Sequence, residues 1–424
     1  MTAGGVPSEE DLAFPRQIAR TRSFTNGRPR DARVSADGGT VLFLRSSGAD
    51  DPVNAFWALD VASGAERLLF DPADDERELT DAERARRERA RERGGGVVAY
   101  ATDAAAARAV VVAGGLLRLV DVAAGTSVVV PTPGTPDSPR LSPDGSRVAY
   151  VVDGDLHVQD VPDGAPRVLA SDPDEAVSWG LADFAAEEEM RRFEGFWWSP
   201  DGARIAAARV DENPVETWWI AEPSEPTARP RPMRYPRAGT ANAIVTLHLL
   251  DLVGDRRVEV RWDEPERFEY LARVTWSGGS PLTLLVQSRD QRETRLLEVD
   301  DATGATTVVE VETDPHWVEL VAGAPTRLAD GRIVAAVQDV GADARRLAIG
   351  GAPATPPDLQ VRAVLGTEGD AVWIAANDDP TEEHVHRVTT AGVERVSDRP
   401  GLHAATAAGG TVVLRTLPAD DPVP

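Results

Sequence analysis

The chain has no cysteine among its 424 residues, and reading along it finds no lysine either. The missing cysteine excludes disulfides, thiol catalysis and thiolate-bound metals. The missing lysine leaves arginine as the cationic side chain. Beside so much alanine, glycine and proline it reads as the codon bias of a GC-rich genome, not as a mechanism. Basic charge is short overall: 45 arginines face 70 Asp and Glu, a formal charge of −25. A phosphate backbone needs the opposite, so nucleic acid is excluded as a partner. No apolar run approaches the length of a membrane span. The opening M-T-A-G-G-V-P-S-E-E-D-L has neither the basic nor the apolar region of a secretory signal. A cytoplasmic protein with no membrane partner is the expectation, unless a leader preceded Met1.

Catalytic signatures are missing too. No G-x-S-x-G nucleophile elbow, phosphate loop or dinucleotide fingerprint occurs. The six histidines are His157, His248, His316, His384, His386 and His403. His384 and His386 share one face of a strand, but no H-E-x-x-H and no third ligand accompany them. No catalytic residue, metal or cofactor is therefore expected in this chain.

What is present is a repeat. A strand leads into S-x-D-G, then an apolar strand, a polar turn, and a second apolar strand ending in Asp. Clear copies open at Ser35, Ser142 and Ser199; degenerate ones lie at Tyr100–Asp103, Trp276–Gly279, Leu328–Gly331 and Thr367–Gly369. The strand T-V-V-L-R-T-L closes the series. Each unit is a small antiparallel sheet that cannot bury both faces alone, so the units stack around a ring. The expected fold is all-β, a β-propeller with short helical insertions; stacked β-sandwiches are the alternative. Residues 1–32 form an N-terminal arm anchored by Leu12, Phe14 and Ile18, and 33–417 the propeller, with insertions at about 80–93, 179–192 and 209–242. Residues 418–424, rich in Pro and Asp, look like the start of a linker.

The insertions carry the interest. Thr80 and Glu83 form a capping box, Gly94–Gly96 a stop, and the helix between them has no apolar face. Such a helix commonly bridges elements or is solvated. In 209–242 the prolines forbid a regular ladder, so this stretch is an edge or loop excursion. The stretch from Trp179 to Gly202 reads as a short helix capped by Ser178, with Leu181, Phe184 and Ala185 on its apolar face. Then comes the aromatic strand Phe196-Trp197-Trp198 into an Asp-Gly turn. Three adjacent carboxylates, Glu187, Glu188 and Glu189, sit where the helix dipole favours cations. One reading pairs Glu187 with Arg191 and Glu188 with Arg192 on a solvated face; the other makes them a binding cluster.

The double Glu before an aromatic-W-W-S-P-D-G strand, with the later Y-P-x-A-G-x-x-N turn at Tyr235–Asn242, resembles the N-terminal propeller of the dipeptidyl peptidase IV group. These are serine peptidases of the prolyl oligopeptidase family. The resemblance covers nearly the whole chain and implies eight blades. It implies that Glu188 and Glu189 bind the free α-amine of a peptide. Adjacent residues on a helix point about 100° apart, so two can flank one cation and a third turns away; Glu187 is expected to be the solvated partner of Arg191. By resemblance to bacterial members, an arginine of the 80–93 helix, Arg86, Arg87 or Arg89, reaches the same cavity. The family's α/β-hydrolase domain follows the propeller and is absent here. The chain is thus expected to gate a dipeptidyl-peptidase-type exopeptidase, with peptides carrying a free N-terminus, that hydrolase domain and a second copy of itself as partners. The other reading is a stand-alone, non-catalytic binding propeller.

Overall fold

A computed structural model describes residues 9–72, 95–224, 227 and 229–419. The expected arginine helix at 80–93, with Arg86, Arg87 and Arg89, lies outside the described residues.

Among the described residues the chain forms nine sheets. Eight follow one another along the sequence; the ninth is a hairpin of Thr217–Ile220 with Arg231–Arg234 inside the fourth. The successive sheets span residues 30–70, 100–130, 137–170, 177–260, 270–313, 326–353, 360–395 and 401–418, the last having only two strands. All their ladders are antiparallel apart from Gly95–Gly96, which runs parallel beside Val53 and Asn54.

The S-x-D-G unit works as a turn with its own hydrogen bonds. The Ser142 hydroxyl donates to Asp144 Oδ1 at 2.5 Å and accepts from the Arg147 N–H at 3.0 Å. Ser199 does the same with Asp201 and Arg204, and Ser35 with Asp37 and Thr40. The hydroxyl thus takes the first N–H of the next strand and fixes where the ladder begins. The Ser142 bond, with those from the Ser146 N–H and hydroxyl, holds the Asp144 carboxyl well below its ordinary range, at about 2.

Apolar clusters join neighbours. Leu42, Phe56, Val111 and Val120 weld the first sheet to the second; Ala149, Leu156, Trp179 and Ile205 the third to the fourth; Leu247, Leu249, Leu271 and Leu284 the fourth to the fifth. The last sheet meets the first, where Thr411 Oγ1 donates to the Gly38 carbonyl at 2.8 Å and Val413 packs on Val34, Val41 and Phe43. That closed arrangement of stacked sheets is a propeller, not a pair of sandwiches. The last full strands of the sheets carry the exposed side chains Leu68, Val128, Val129, Val168, Val308, Val309 and Val311. They form the outer edges, and the first strands line the centre.

The arm is a helix, α1 (Glu9–Arg20), followed by turns. Leu12 and Ile18 are half-buried, whereas Phe14 is 60% exposed and touches only the Phe24 ring among aromatics. Phe14 is therefore not the anchor the sequence suggested. Polar contacts tie the arm down instead: Arg20 pairs with Asp50, and Asn26 donates to the Ala49 carbonyl. No described helix is long and apolar enough to cross a membrane.

Candidate functional site

The innermost strand of the fourth sheet is split. Val177–Trp179 and Phe196–Trp198 both pair with Arg204–Asp211, Trp179 opposite Arg209 and Phe196 opposite Ala207. The one residue between, Ala208, accepts from the Gly180 N–H and donates to the Gly195 carbonyl. Residues 181–194 therefore leave and re-enter the sheet through a gap one residue wide. Glycine is required at both sides. Gly180 has φ +80°, and a Cβ on Gly195 would lie 2.3 Å from the Leu181 carbonyl carbon.

The excursion carries α2 (Phe184–Met190). The expected cap, Ser178, is instead part of the ladder, bonded opposite Val210, and the helix starts five residues later. Asp183 is the N-cap: its Oδ2 accepts from the Ala186 N–H at 3.2 Å. Arg191 ends the helix in the left-handed region, and the Arg192 N–H returns to the Ala186 carbonyl.

Two arginines pin α2 to the first strand of the fifth sheet. The Arg192 side chain is 3% exposed; it donates to Asp183 Oδ1 at 3.0 Å, to the Leu271 carbonyl at 2.8 Å and to the Glu194 carbonyl at 2.5 Å. Burial lowers its pKa, while the negative charges of Asp183, Glu187 and Glu194 work the other way. Arg273 donates to the Met190 carbonyl at 2.6 Å, closing the helix end. On the other flank Phe184 meets the Tyr235 ring edge-on at 5.2 Å, and Tyr235 meets Trp218 at 6.0 Å. Within 209–242 the hairpin of Thr217–Ile220 with Arg231–Arg234 keeps a regular ladder with Pro232 opposite Trp219, contrary to the expectation from its prolines, and it buttresses α2.

The three glutamates divide differently from the expectation. Glu187 is 6% exposed, on the buried side with Ala186 and Met190, near enough to Arg192 to act on its charge. It is not a solvated partner of Arg191. Glu188 and Glu189 are exposed, and Glu188 does not pair with Arg192, which is committed to Asp183. The two carboxylates stand exposed on a helix that leaves the fourth sheet and packs on the first strand of the fifth. Asp183 and Arg273 were not singled out by sequence reasoning, and Arg192 and Tyr235 were named there without the contacts they make here. Of the first two, only Asp183 carried a local signal, a capping residue just before the helix.

His384 and His386 do share a face, but both are buried and occupied. His384 contacts Ser397 Oγ at 2.8 Å and Glu382 Oε2 at 2.6 Å, and its ring stacks on His403 at 5.0 Å. Serine, histidine and carboxylate here imitate a hydrolytic triad, yet Ser397 is 1% exposed and its oxygen accepts the Val385 N–H. This trio is structural. Among the described residues no group of three His, Asp or Glu is placed to hold a metal.

Residues 113–417 match the family described as dipeptidyl peptidase IV (DPP IV) N-terminal region. The chain belongs to that family. A probable dipeptidyl-aminopeptidase B of Pyrenophora teres f. teres is 28% identical over 202 residues, 42% of this chain and 22% of that protein. One from Emericella nidulans is 24% identical over 315 residues, 63% and 34% of the two chains. Human dipeptidyl peptidase 8 is 28% identical over 188 residues, 37% and 21%. The crystal structure of Porphyromonas gingivalis dipeptidyl peptidase 4 superposes with a TM-score of 0.74 at 18% identity, over 97% of this chain and 59% of that one. That likeness shows the shared fold. The matched part thus spans about a fifth to a third of the curated relatives.

Proposed function

We propose that this propeller holds the free N-terminus of a peptide at Glu188 and Glu189, as the gating half of a dipeptidyl-peptidase-type serine exopeptidase. The nucleophile would come from an α/β-hydrolase domain outside the 424 residues. We count the eight successive sheets as the eight blades of its ring. One observation carries the reading: two adjacent carboxylates stand exposed on a rigidly braced helix, in a chain whose relatives are named dipeptidyl aminopeptidases.

The chemistry follows from charge. A peptide α-amine has a reference pKa of about 7.7–8.0 and is largely protonated at neutral pH. Two carboxylates roughly 100° apart on a helix can flank one such cation. They repel each other when the site is empty, and a blocked amine leaves that repulsion uncompensated, so acetylated peptides are rejected. Fixing the amine fixes which peptide bond reaches a nucleophile, and dipeptides are released. Bracing matters because a carboxylate free to swing loses its preorganisation. An arginine from 80–93, Arg86, Arg87 or Arg89, would donate hydrogen bonds to the peptide carbonyl and meet the Glu pair.

Calorimetric titration of the chain with a free-amine peptide and its acetylated twin tests the reading. Glu188→Gln and Glu189→Gln should each weaken free-amine binding about tenfold or more and leave the melting temperature nearly unchanged. Equal affinity for both peptides, or unaltered binding by both variants, would refute it.

A further inference from the structure

A cleft lies beside the root of the α2 excursion. Its volume is about 300 Å³. It opens between the second and third sheets, and Val98, Ala101, Val112 and Leu181 are apolar side chains left half-buried there. Val110 and Val151 floor it, and Asp137, Arg140 and Asp153 stand at its rim. Two links join it to α2. Leu181, in its wall, is the first residue of the excursion. Arg140 pairs with Glu194, the last residue of the excursion, at 3.0 Å.

This combination is unlike a packing defect. The second and third sheets already meet through a closed apolar cluster, Val110, Leu117, Val148 and Tyr150, with Ala101 and Val112 packed against it, so the cleft lies beside a formed seam. Here apolar walls stay accessible beneath a polar rim, the usual make-up of a ligand site, at the lower end of the usual size range.

The geometry points to a second binding site for the same peptide: the cleft receives one apolar side chain, several residues downstream of the amine held by Glu188 and Glu189. The inference rests on the proposed amine anchor. Reach fixes the position. From Leu181 to Glu188 the chain makes three non-helical steps and four helical ones, on the order of 17 Å at most. An extended peptide covers that distance in about five residues. The residue that fills the cleft is therefore one of positions three to six. The bond cut by a dipeptidyl peptidase lies before position three, so the cleft would select peptides by a residue on the leaving side of the scissile bond.

The test is a leucine walk. Free-amine hexapeptides with proline second and one leucine at position three, four, five or six, otherwise serine and glycine, are titrated into the chain alongside acetylated copies. One leucine position should bind about tenfold more tightly than the all-polar hexapeptide. Val112→Ser and Ala101→Leu, one making the wall polar and the other filling it, should erase that advantage while keeping the dependence on a free amine. Each variant's melting curve shows that it is folded. A flat walk with acetylation still abolishing binding would overturn the cleft and leave the amine anchor standing. A leucine advantage that survives acetylation would support the cleft as an apolar site and overturn the anchor. Absence of binding by every peptide would overturn both.

Discussion

Arg192 reaches back along α2 to Asp183: its guanidinium lies 3.0 Å from the carboxylate that caps the first turn of that helix. One side chain thereby orders both ends of the excursion, and the pair is almost wholly removed from water. An ion pair in that position is sensitive to the loss of either partner, because the survivor stays buried with its charge unmatched.

Asp183→Asn keeps a good capping residue and removes only the charge. Destabilisation of about 3–5 kcal/mol is expected, the range for breaking a buried pair, and it should show in urea unfolding. Arg192→Met should cost a similar amount. The double variant should cost clearly less than the sum, since both singles remove the same interaction.

Gly195→Ala places a methyl 2.3 Å from backbone carbon of Leu181. Backbone cannot yield there without opening the Gly180–Ala208–Gly195 gap. A loss of about 2 kcal/mol or more is expected, read as a lower urea midpoint. Gly180→Ala meets a conformational penalty instead, at φ +80°, of about 1–2 kcal/mol.

Tyr235→Ala removes the ring that meets both Phe184 and Trp218. Tyr235 is 39% exposed, so global stability should fall by only about 1 kcal/mol. Hydrogen exchange of the α2 amides should rise by a larger factor than that of the neighbouring ladder Arg204–Asp211. If both rise together, the hairpin is no buttress.

His248 gives the stability a pH dependence. Burial first, then Arg257 and Arg209, lower its pKa to about 4 from 6.5. The unfolded chain therefore takes up a proton before the folded one does. The stabilisation is complete above pH 6.5 and is lost as the pH falls from 6.5 through 4. Its size is about 3 kcal/mol, since a pKa difference of one between the folded and unfolded chain is worth roughly 1.4 kcal/mol. Urea unfolding between pH 4 and 7 should show the slope, and His248→Gln should flatten it. His157 and His386, also lowered by burial, leave a remainder.

The repeat was legible because its information is local. Ser142, Asp144 and Gly145 make a turn among themselves, so four letters suffice to find it. The aromatic strand Phe196–Trp198 and the double Glu were legible for the same reason. The start of α2 was not. Ser178 is an acceptable cap by its letter, but its backbone is bonded opposite Val210, and ladder pairing across 32 residues outweighs a capping preference. The facing of Glu187 followed from that error. Counted from Asp183, Glu187 lies on the side of Ala186 and Met190, and burial follows. For Arg192 the i,i+4 spacing pointed to Glu188, whereas its partners are Asp183 and the carbonyl of Leu271, 79 residues away. Phe14 misled because an apolar letter says nothing about which surface covers it.

The bond from Thr411 to the Gly38 carbonyl joins residues 373 apart. A row of stacked sheets has one interface fewer than it has sheets, and its two ends are free to fray. Bringing Val413 onto Val34 and Phe43 adds the missing interface without adding a sheet. No sheet is then an end, and none can peel away without the loss of two interfaces at once. Ring closure thus turns a series of nearly independent repeats into one cooperative unit, and it is this shared stiffness that lets an excursion from the fourth sheet keep its bearings against the fifth.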